Sequence, residues 1–399
     1  MSSSPQPSAW RLGTRCVHAG HRPNLAHPAA RSLAGPIVRG TAFLLDDEAY
    51  ALRAAGRSTE AWIYGREKSP TVEDVERRLA ALDGAERALV FGSGLAAMHA
   101  LLMARLARGD RLLAARQLYG GTLGLLRELL PRMDVGLDLF DVTRPDEAAA
   151  ALTERTALVF CESVSNPTLE VADVRALARL AHEHGALLAI DATFATPIAQ
   201  RPLELGADLV HHSASKYLGG HDDLLAGVVC GSAEALAPVQ AWRTRTGATL
   251  DPEAAFLLDR GLKTLHLRMA AHTAGAGAVA ERLAAHPRVH RVLYPGRPDH
   301  PTHATAAEQL ELAGGMVAFV VAGGDAAALR VARALELFVE AGTLGGVESL
   351  VSVPAAMSHV SLSPEERLAA GIEPGLVRLS VGIEDPADLI ADLESALGA

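Results

Sequence analysis

The sequence predicts an α/β fold, a parallel sheet covered by helices on both faces and followed by a smaller α+β region. Three observations carry this. Short apolar runs near 87–91, 111–114, 135–140, 157–161, 186–190 and 208–211 alternate with helical patterns, as parallel strands joined by crossovers require. Hydrophobic residues fill 49% of the 399 positions, enough for a large packed core. Beyond residue 255 the alternation becomes shorter and less regular.

The elements follow in order. The first 60 residues are irregular, broken by Pro23, Pro28, Gly35, Pro36 and Gly40, and predict an extended arm with a helix near 48–55. An arm with few local burial options is expected to pack on another subunit. Residues 1–8 are polar and Ser/Pro-rich, a frayed tail rather than a secretory leader. A helix is predicted over 71–82, with Leu79 and Leu82 among its apolar positions, then the strand 87–91, a Gly-Ser-Gly turn and a helix over 95–108. Another helix is expected over 171–184, with Gly185 just beyond it as its C-terminal glycine. Residues 252–285 read as mostly helical through Leu257, Leu258, Leu262 and Leu265. The chain then offers an apolar stretch at 315–321, a helix at 326–335, a stretch at 350–353, a strand at 378–381 and a last helix. The expected division is an arm at 1–60, a large domain at 61–255 and a C-terminal α+β domain at 256–399.

Composition narrows the function. A net charge of −10 argues against a nucleic-acid partner, which needs a basic face. No apolar run approaches the ~20 residues of a spanning helix, so no membrane partner is expected. The cysteines, Cys16, Cys161 and Cys230, fit neither a disulfide framework nor a zinc site and point to a reducing, cytoplasmic setting. Of 37 basic residues only Lys68, Lys216 and Lys263 are lysine. A lysine retained among so many arginines ranks as a position that needs an amine, because only lysine can shed its proton and form a Schiff base.

Three features carry chemistry. Leu89-Val90-Phe91-Gly92-Ser93-Gly94-Leu95 reads as strand, glycine turn and helix, whose free N–H groups form an anion site. Alone it also reads as a tight turn without a ligand. Asp191 ends an apolar strand and faces the crevice where such sheets bind ligands. Alone it reads equally as a loop or capping acid. Lys216 follows His211-His212-Ser213-Ala214-Ser215 and precedes Tyr217-Leu218-Gly219-Gly220, where desolvation would free its amine. The adjacent histidines point apart on an extended segment, so no metal is expected. In this order, a phosphate cradle, an acid for a ring nitrogen and an amine are the parts that pyridoxal phosphate needs.

From Thr14-Arg15-Cys16-Val17-His18-Ala19-Gly20 to its end the chain resembles the pyridoxal phosphate enzymes of cysteine and methionine metabolism. These are the cystathionine γ-synthases, cystathionine lyases, methionine γ-lyases and O-acylhomoserine sulfhydrylases. The resemblance rests on Ser213-Ala214-Ser215-Lys216-Tyr217-Leu218-Gly219-Gly220-His221, Arg260-Gly261-Leu262-Lys263-Thr264-Leu265, Tyr294-Pro295-Gly296 and Leu376-Val377-Arg378-Leu379-Ser380-Val381-Gly382-Ile383-Glu384-Asp385. It implies a fold-type I pyridoxal phosphate-dependent transferase with a mostly parallel seven-stranded sheet. It implies Lys216 as the Schiff-base lysine and Asp191 against the pyridinium nitrogen. Ser93, Gly94 and Leu95 would cradle the phosphate, with hydroxyls from Ser213 and Ser215. Tyr119 would stack on the ring and serve as acid/base, Asn166 would approach the ring hydroxyl, and Arg378 would grip the substrate carboxylate near Thr343. Tyr64 and Arg66 would reach the phosphate of a neighbouring subunit, within a homotetramer built as a dimer of dimers.

The departures bear on the substrate. Relatives acting on cystathionine carry Arg five residues after the stacking Tyr, where this chain has Gly124, and Glu where it has Gly342, beside Thr343 in place of the usual Ser. Methionine γ-lyases carry Cys where it has Gly121. Ser69 replaces the usual Asn, and Arg39 is an unusual cation near the arm, read either as a substitute contact or as a surface residue. The resemblance implies γ-elimination from a sulfur-containing or γ-substituted L-amino acid, giving a 2-oxoacid, ammonia and a thiol. The alternatives are γ-replacement on an activated homoserine and β-elimination from a cysteine-type substrate. A non-catalytic binder would not keep Lys216, Asp191, Tyr119 and Arg378 together. A dehydrogenase would need a third glycine after Gly92 and Gly94.

Overall fold

The structure is a computed structural model that describes residues 10–20, 33–360 and 362–398. The expected tail at 1–8 and the breakers Pro23 and Pro28 lie outside the described residues.

The first sheet has seven strands: β1 (Arg87–Phe91), β2 (Arg111–Ala115), β3 (Gly136–Phe140), β4 (Thr156–Glu162), β5 (Leu187–Asp191), β6 (Leu209–Ser213) and β7 (Gly227–Gly231). Their order is β1-β7-β6-β5-β4-β2-β3, and only β7 runs against the rest. The second sheet comprises β8 (Val289–Leu293), β9 (Met316–Val321), β10 (Val339–Glu340), β11 (Leu350–Ser352) and β12 (Leu376–Ser380), in the order β10-β11-β12-β9-β8.

Strand β1 shows how one pentapeptide builds two cores. Successive side chains of a strand leave opposite faces. Ala88 and Val90 enter the core shared with helix Pro70–Asp83, whereas Leu89 and Phe91 enter the core under helix Gly94–Arg105. The first of these cores continues through Leu258, Leu262 and Met269 to Met316 and Ala318 of the second sheet. The other face of the second sheet packs on the last helix, Pro386–Gly398, through Leu389 and Leu393.

The sequence-predicted helices have identifiable stops and starts. Helix Pro70–Asp83 begins on a proline, whose missing N–H has no partner to lose there, and ends at left-handed Gly84 (φ 71°). Asp46 caps Asp47–Ala54, and Asp173 caps Val174–Glu183 by accepting from the Ala176 N–H (3.0 Å).

The mostly helical stretch at 252–285 comprises two helices, Pro252–Leu262 and Leu265–Ala284. The Gly261 carbonyl accepts from the Arg268 guanidinium (2.8 Å) and the Thr264 hydroxyl (3.2 Å), side chains that replace the helical ladder at the break. The arm is not irregular throughout. Helix Leu12–His18 packs on its own chain, burying Cys16, whose carbonyl accepts from Arg78 (2.7 Å). Strand β7, bounded by glycines at both ends, and strand β8, with the exposed pair His290 and Arg291, were not anticipated.

Two buried histidines set an acid limit on this fold. Burial pushes His300 and His359 down to about 4 from the usual 6.5, with the charges of Arg291 and Arg378 respectively adding to the effect. The His359 ring donates from Nε2 to the Leu118 carbonyl (3.2 Å) and accepts at Nδ1 from the Ser358 hydroxyl (2.9 Å), as a neutral ring does. A histidine depressed in the folded state binds its proton more readily in the unfolded state. Its stabilisation is therefore complete above about 6.5 and is lost as the pH falls towards about 4. Melting temperature measured across this window is expected to fall steadily, and His300→Phe is expected to flatten the slope. An unchanged slope in that variant would refute the assignment.

Candidate active site

The C-terminal ends of β4, β5 and β6 open into a cavity of about 560 Å³, which the second sheet closes through Arg378 and the 342–344 segment. Of the predicted residues, the lining includes Ser93, Gly94, Leu95, Tyr119, Asn166, Asp191, Ser213, Ser215, Lys216 and Arg378. Thr343 reaches the same place by hydrogen bond, since its hydroxyl accepts from the Lys216 amine (2.7 Å).

One end of the cavity is built for an anion. Ser93 caps helix Gly94–Arg105 by accepting from the Ala96 N–H (3.1 Å), leaving first-turn N–H groups with no carbonyl one turn back. Gly94 lies against Ser213. A Cβ at position 94 would stand 3.0 Å from Ser213 Cβ and 3.1 Å from its Oγ, so only glycine leaves this cradle open. The Ser215 hydroxyl is occupied, donating to the Ala226 carbonyl (3.4 Å) and accepting from its N–H (2.9 Å).

The floor holds two carboxyls in opposite states. Glu162 accepts from the backbone N–H groups of Tyr119 (2.6 Å) and Asn166 (2.8 Å) and so positions both residues. Burial pushes its carboxyl well above the usual range, and the nearby Asp191 raises it further. Burial would also raise Asp191. The His211 ring and the Thr193 hydrogen bonds outweigh it and hold Asp191 below its usual range. One of two neighbouring acids is thus kept charged and the other is disposed to keep its proton.

The remaining polar groups face the middle of the cavity. Burial lowers the Lys216 amine, the Arg378 charge lowers it again, and Asp222 opposes them. Arg378 is buried, and burial pulls its guanidinium down to about 10. It donates to the Asn166 side-chain oxygen (2.8 Å) and points Nη2 at the Thr343 carbonyl (3.5 Å), while its buried Nε has no partner among the described residues. A buried cation with only neutral hydrogen-bond partners is a site prepared for an anion. The Tyr119 ring is 42% exposed and lies over Gly121, where a Cβ would come within 2.5 Å of its Cε1. Gly121 is therefore what permits this ring position.

Other predicted residues stay apart. Tyr64 and Arg66 do not line the cavity. Arg66 lies 5.4 Å over the Tyr64 ring and donates to the Thr244 carbonyl (2.5 Å), with Tyr64 43% exposed. Arg39 is a surface residue paired with Glu253 (3.6 Å). Lys68 and Lys263 pair with Glu73 (3.3 Å) and Asp259 (3.4 Å), so Lys216 alone of the lysines enters the cavity. Among the described residues nothing lies within 4 Å of a Cβ built at Gly124, and only the Met357 methyl (3.6 Å) approaches one at Gly342. Among the described residues no group of three His, Cys, Asp or Glu side chains could hold a metal.

Sequence reasoning missed Glu162, Thr193, Phe194, His211, Leu225 and Met357. Glu162 directly follows the predicted strand at 157–161, and neither it nor the apolar residues carry a sequence signal that assigns them to a site. His211 was set aside with His212, and the two do point apart. His212 faces Asp83 (3.1 Å) in the core and His211 faces Asp191 (2.9 Å).

The donor set fits pyridoxal phosphate: a cradle that a Cβ would fill, an anionic carboxylate, a buried amine and an unpaired buried guanidinium. A family model for Cys/Met metabolism PLP-dependent enzymes matches residues 13–398. An L-methionine gamma-lyase of Pseudomonas putida is 42% identical over 97% of this chain and 97% of its own length. A cystathionine gamma-synthase of Mycobacterium bovis is 42% identical over 96% of each. The crystal structure of a cystathionine gamma synthase from Xanthomonas oryzae pv. oryzae, in complex with aminoacrylate and cysteine, superposes with a TM-score of 0.91. It is 37% identical and covers 98% of both chains. With the cavity's donor set and a match spanning nearly its whole length, the chain belongs to the pyridoxal phosphate-dependent enzymes of cysteine and methionine metabolism.

Proposed function

We propose that the protein is a carbon–sulfur lyase that performs γ-elimination on an L-amino acid with one carboxylate and an uncharged, sulfur-containing or otherwise γ-substituted side chain. The observation that carries this reading is the distribution of charge in the cavity. Besides Lys216, Arg378 is the only Lys or Arg among the described residues of its lining, while Leu225, Leu344, Ala356 and Met357 supply apolar walls. One guanidinium suits one carboxylate. A cystathionine-like substrate would bring a second carboxylate for which the described residues of the lining offer no second guanidinium.

The residues then divide the work. Arg378 binds the α-carboxylate and orients the substrate above Asp191. Pyridoxal phosphate, when bound, supplies an aldehyde for the amine and a ring that stores the electron pair of the departing α-proton. The Lys216 amine, lowered by burial and by Arg378, takes the α-proton, gives it up within the site and is free again to take a β-proton, whose electron pair forms the Cβ–Cγ double bond as the Cγ–S bond breaks. Tyr119, at the cavity mouth, gives a proton to the departing sulfur. Thr343 holds the Lys216 amine between transfers (2.7 Å). The serine-capped helix start binds the phosphate. Tyr64 and Arg66, exposed and away from their own cavity, serve that of a neighbouring subunit in a cytoplasmic homotetramer. Residues 61–255 form the cofactor domain and 256–399 the domain that carries Arg378.

The test is a product assay on the holoenzyme with methionine, homocysteine, cystathionine and O-acylated homoserines, with and without an added thiol. The expected products are a 2-oxoacid and ammonia from methionine or homocysteine in the absence of the thiol, with cystathionine the poorest substrate. A new thioether formed only with the thiol would replace this reading by γ-replacement. Pyruvate from cysteine-type substrates would replace it by β-elimination.

A further inference from the structure

His211 joins the two ends of the cavity. In the parallel register of β5 and β6, Asp191 and His211 are directly paired, so their side chains leave the same face. The ring is buried and its two nitrogens have different neighbours. Nδ1 lies 2.9 Å from Asp191 Oδ2, and Nε2 lies 2.9 Å from the carbonyl oxygen of Gly94, the first residue of the helix at the anion cradle.

The chemistry of these partners fixes the protons. A backbone carbonyl only accepts, so Nε2 carries a hydrogen and donates it. If Nδ1 were bare and Asp191 ionised, two lone pairs would face each other at 2.9 Å inside the protein. A proton therefore lies between the ring and the carboxyl. Asp191 Oδ1 accepts from the Thr193 N–H (2.9 Å), which favours the carboxylate and places that proton on Nδ1. The buried pair is then neutral as a whole and each member is hydrogen-bonded on two sides. The same ring tethers the Gly94 carbonyl, so the carboxylate and the phosphate cradle are held in one frame.

We propose that His211 is a positioning residue that keeps Asp191 anionic and in one rotamer, and that locks it to the start of helix Gly94–Arg105. This rests on the reading that Asp191 faces the cofactor's ring nitrogen. Its consequence is that a protonated ring nitrogen, and with it the electron-storing power of the site, depends on a residue whose ring nitrogens are both engaged by the protein, one by Asp191 and one by the Gly94 carbonyl.

The experiment rebuilds the holoenzyme with pyridoxal phosphate labelled with 15N in its ring and reads the nitrogen shift and the cofactor dissociation constant. The wild type is expected in the protonated range. His211→Val is expected to move towards the unprotonated shift and to bind cofactor about tenfold more weakly or worse. His211→Asn, which can donate to Asp191 but carries no charge, is expected to recover affinity more fully than the shift. A His211→Val protein with the wild-type shift and affinity would overturn the proposal. Asp191→Asn separates it from the reading beneath it. If that variant keeps a protonated nitrogen, Asp191 does not face the ring, whereas loss in Asp191→Asn without loss in His211→Val refutes only the role of His211. Should the valine variant fail to fold, the wild type itself decides the matter. A strongly downfield proton on the His211 Nδ1, missing from His211→Asn, is expected, and its absence from the wild type would overturn the proposal.

Discussion

Lys216→Ala is expected to lower turnover by at least the ~10²–10⁴-fold that a positioned base contributes, and to leave no cofactor that borohydride can fix to the chain. The argument begins with the other two lysines. Lys68 and Lys263 stand in ion pairs with Glu73 and Asp259, outside the cavity. Lys216 has the opposite surroundings. Burial comes first, and the Arg378 charge second, in pulling its amine down, so a neutral nitrogen is available at lower pH than for an exposed lysine. Its hydrogen bond to Thr343 leaves it free to swing without disturbing the core. Lys216→Arg should fail as well, because a guanidinium keeps its proton. Both variants are expected to show the wild-type circular dichroism. Turnover within about tenfold of wild type in Lys216→Ala would remove the lysine from the mechanism.

Much of this was legible because the relevant signals are local. Strands β1 to β6 announce themselves as short apolar runs, and Ser93-Gly94 at the end of one of them can be read as a cradle from glycine and helix rules alone. Lys216 stood out by scarcity. What was hidden depends on register and facing. Whether His211 or His212 enters the cavity is set by the pairing of β6 with β5, which places His211 beside Asp191 and sends His212 to Asp83. Nothing in a His-His dipeptide encodes that choice. Glu162 was hidden for another reason, since its work is done on the backbone N–H groups of Tyr119 and Asn166, and no spacing rule reports such contacts. The antiparallel β7 was missed because a five-residue run bounded by glycines resembles a loop. Gly121 shows the converse. It read as a lost cysteine, but the fold makes it the space in which the Tyr119 ring lies.

Arg378→Ala is expected to reduce kcat/KM by roughly 10²–10³-fold, the loss that follows when one member of a buried charge pair is removed. The guanidinium is charged at neutral pH, since burial brings it only to about 10, and its hydrogen-bond partners are the neutral Asn166 side chain and Thr343 carbonyl. Its Nε is buried with no hydrogen-bond partner among the described residues. Before substrate arrives, the fold therefore carries an incompletely compensated cation, and an incoming α-carboxylate relieves it. Two further results follow from the same geometry. Removing a buried charge that lacks a counterion should not destabilise the protein, so the melting temperature of Arg378→Ala is expected to equal or exceed that of the wild type. The Arg378 charge also helps to lower the Lys216 amine, so its removal should raise that amine and shift the acidic limb of the kcat profile, which reports the substrate complex where the amine is free, to higher pH. Arg378→Lys restores the charge but not the planar fork, and is expected to recover the pH profile more fully than kcat/KM. Loss of activity accompanied by a lower melting temperature and an unmoved acidic limb would make Arg378 a structural residue instead. The three readouts together separate substrate capture from folding, which activity alone does not.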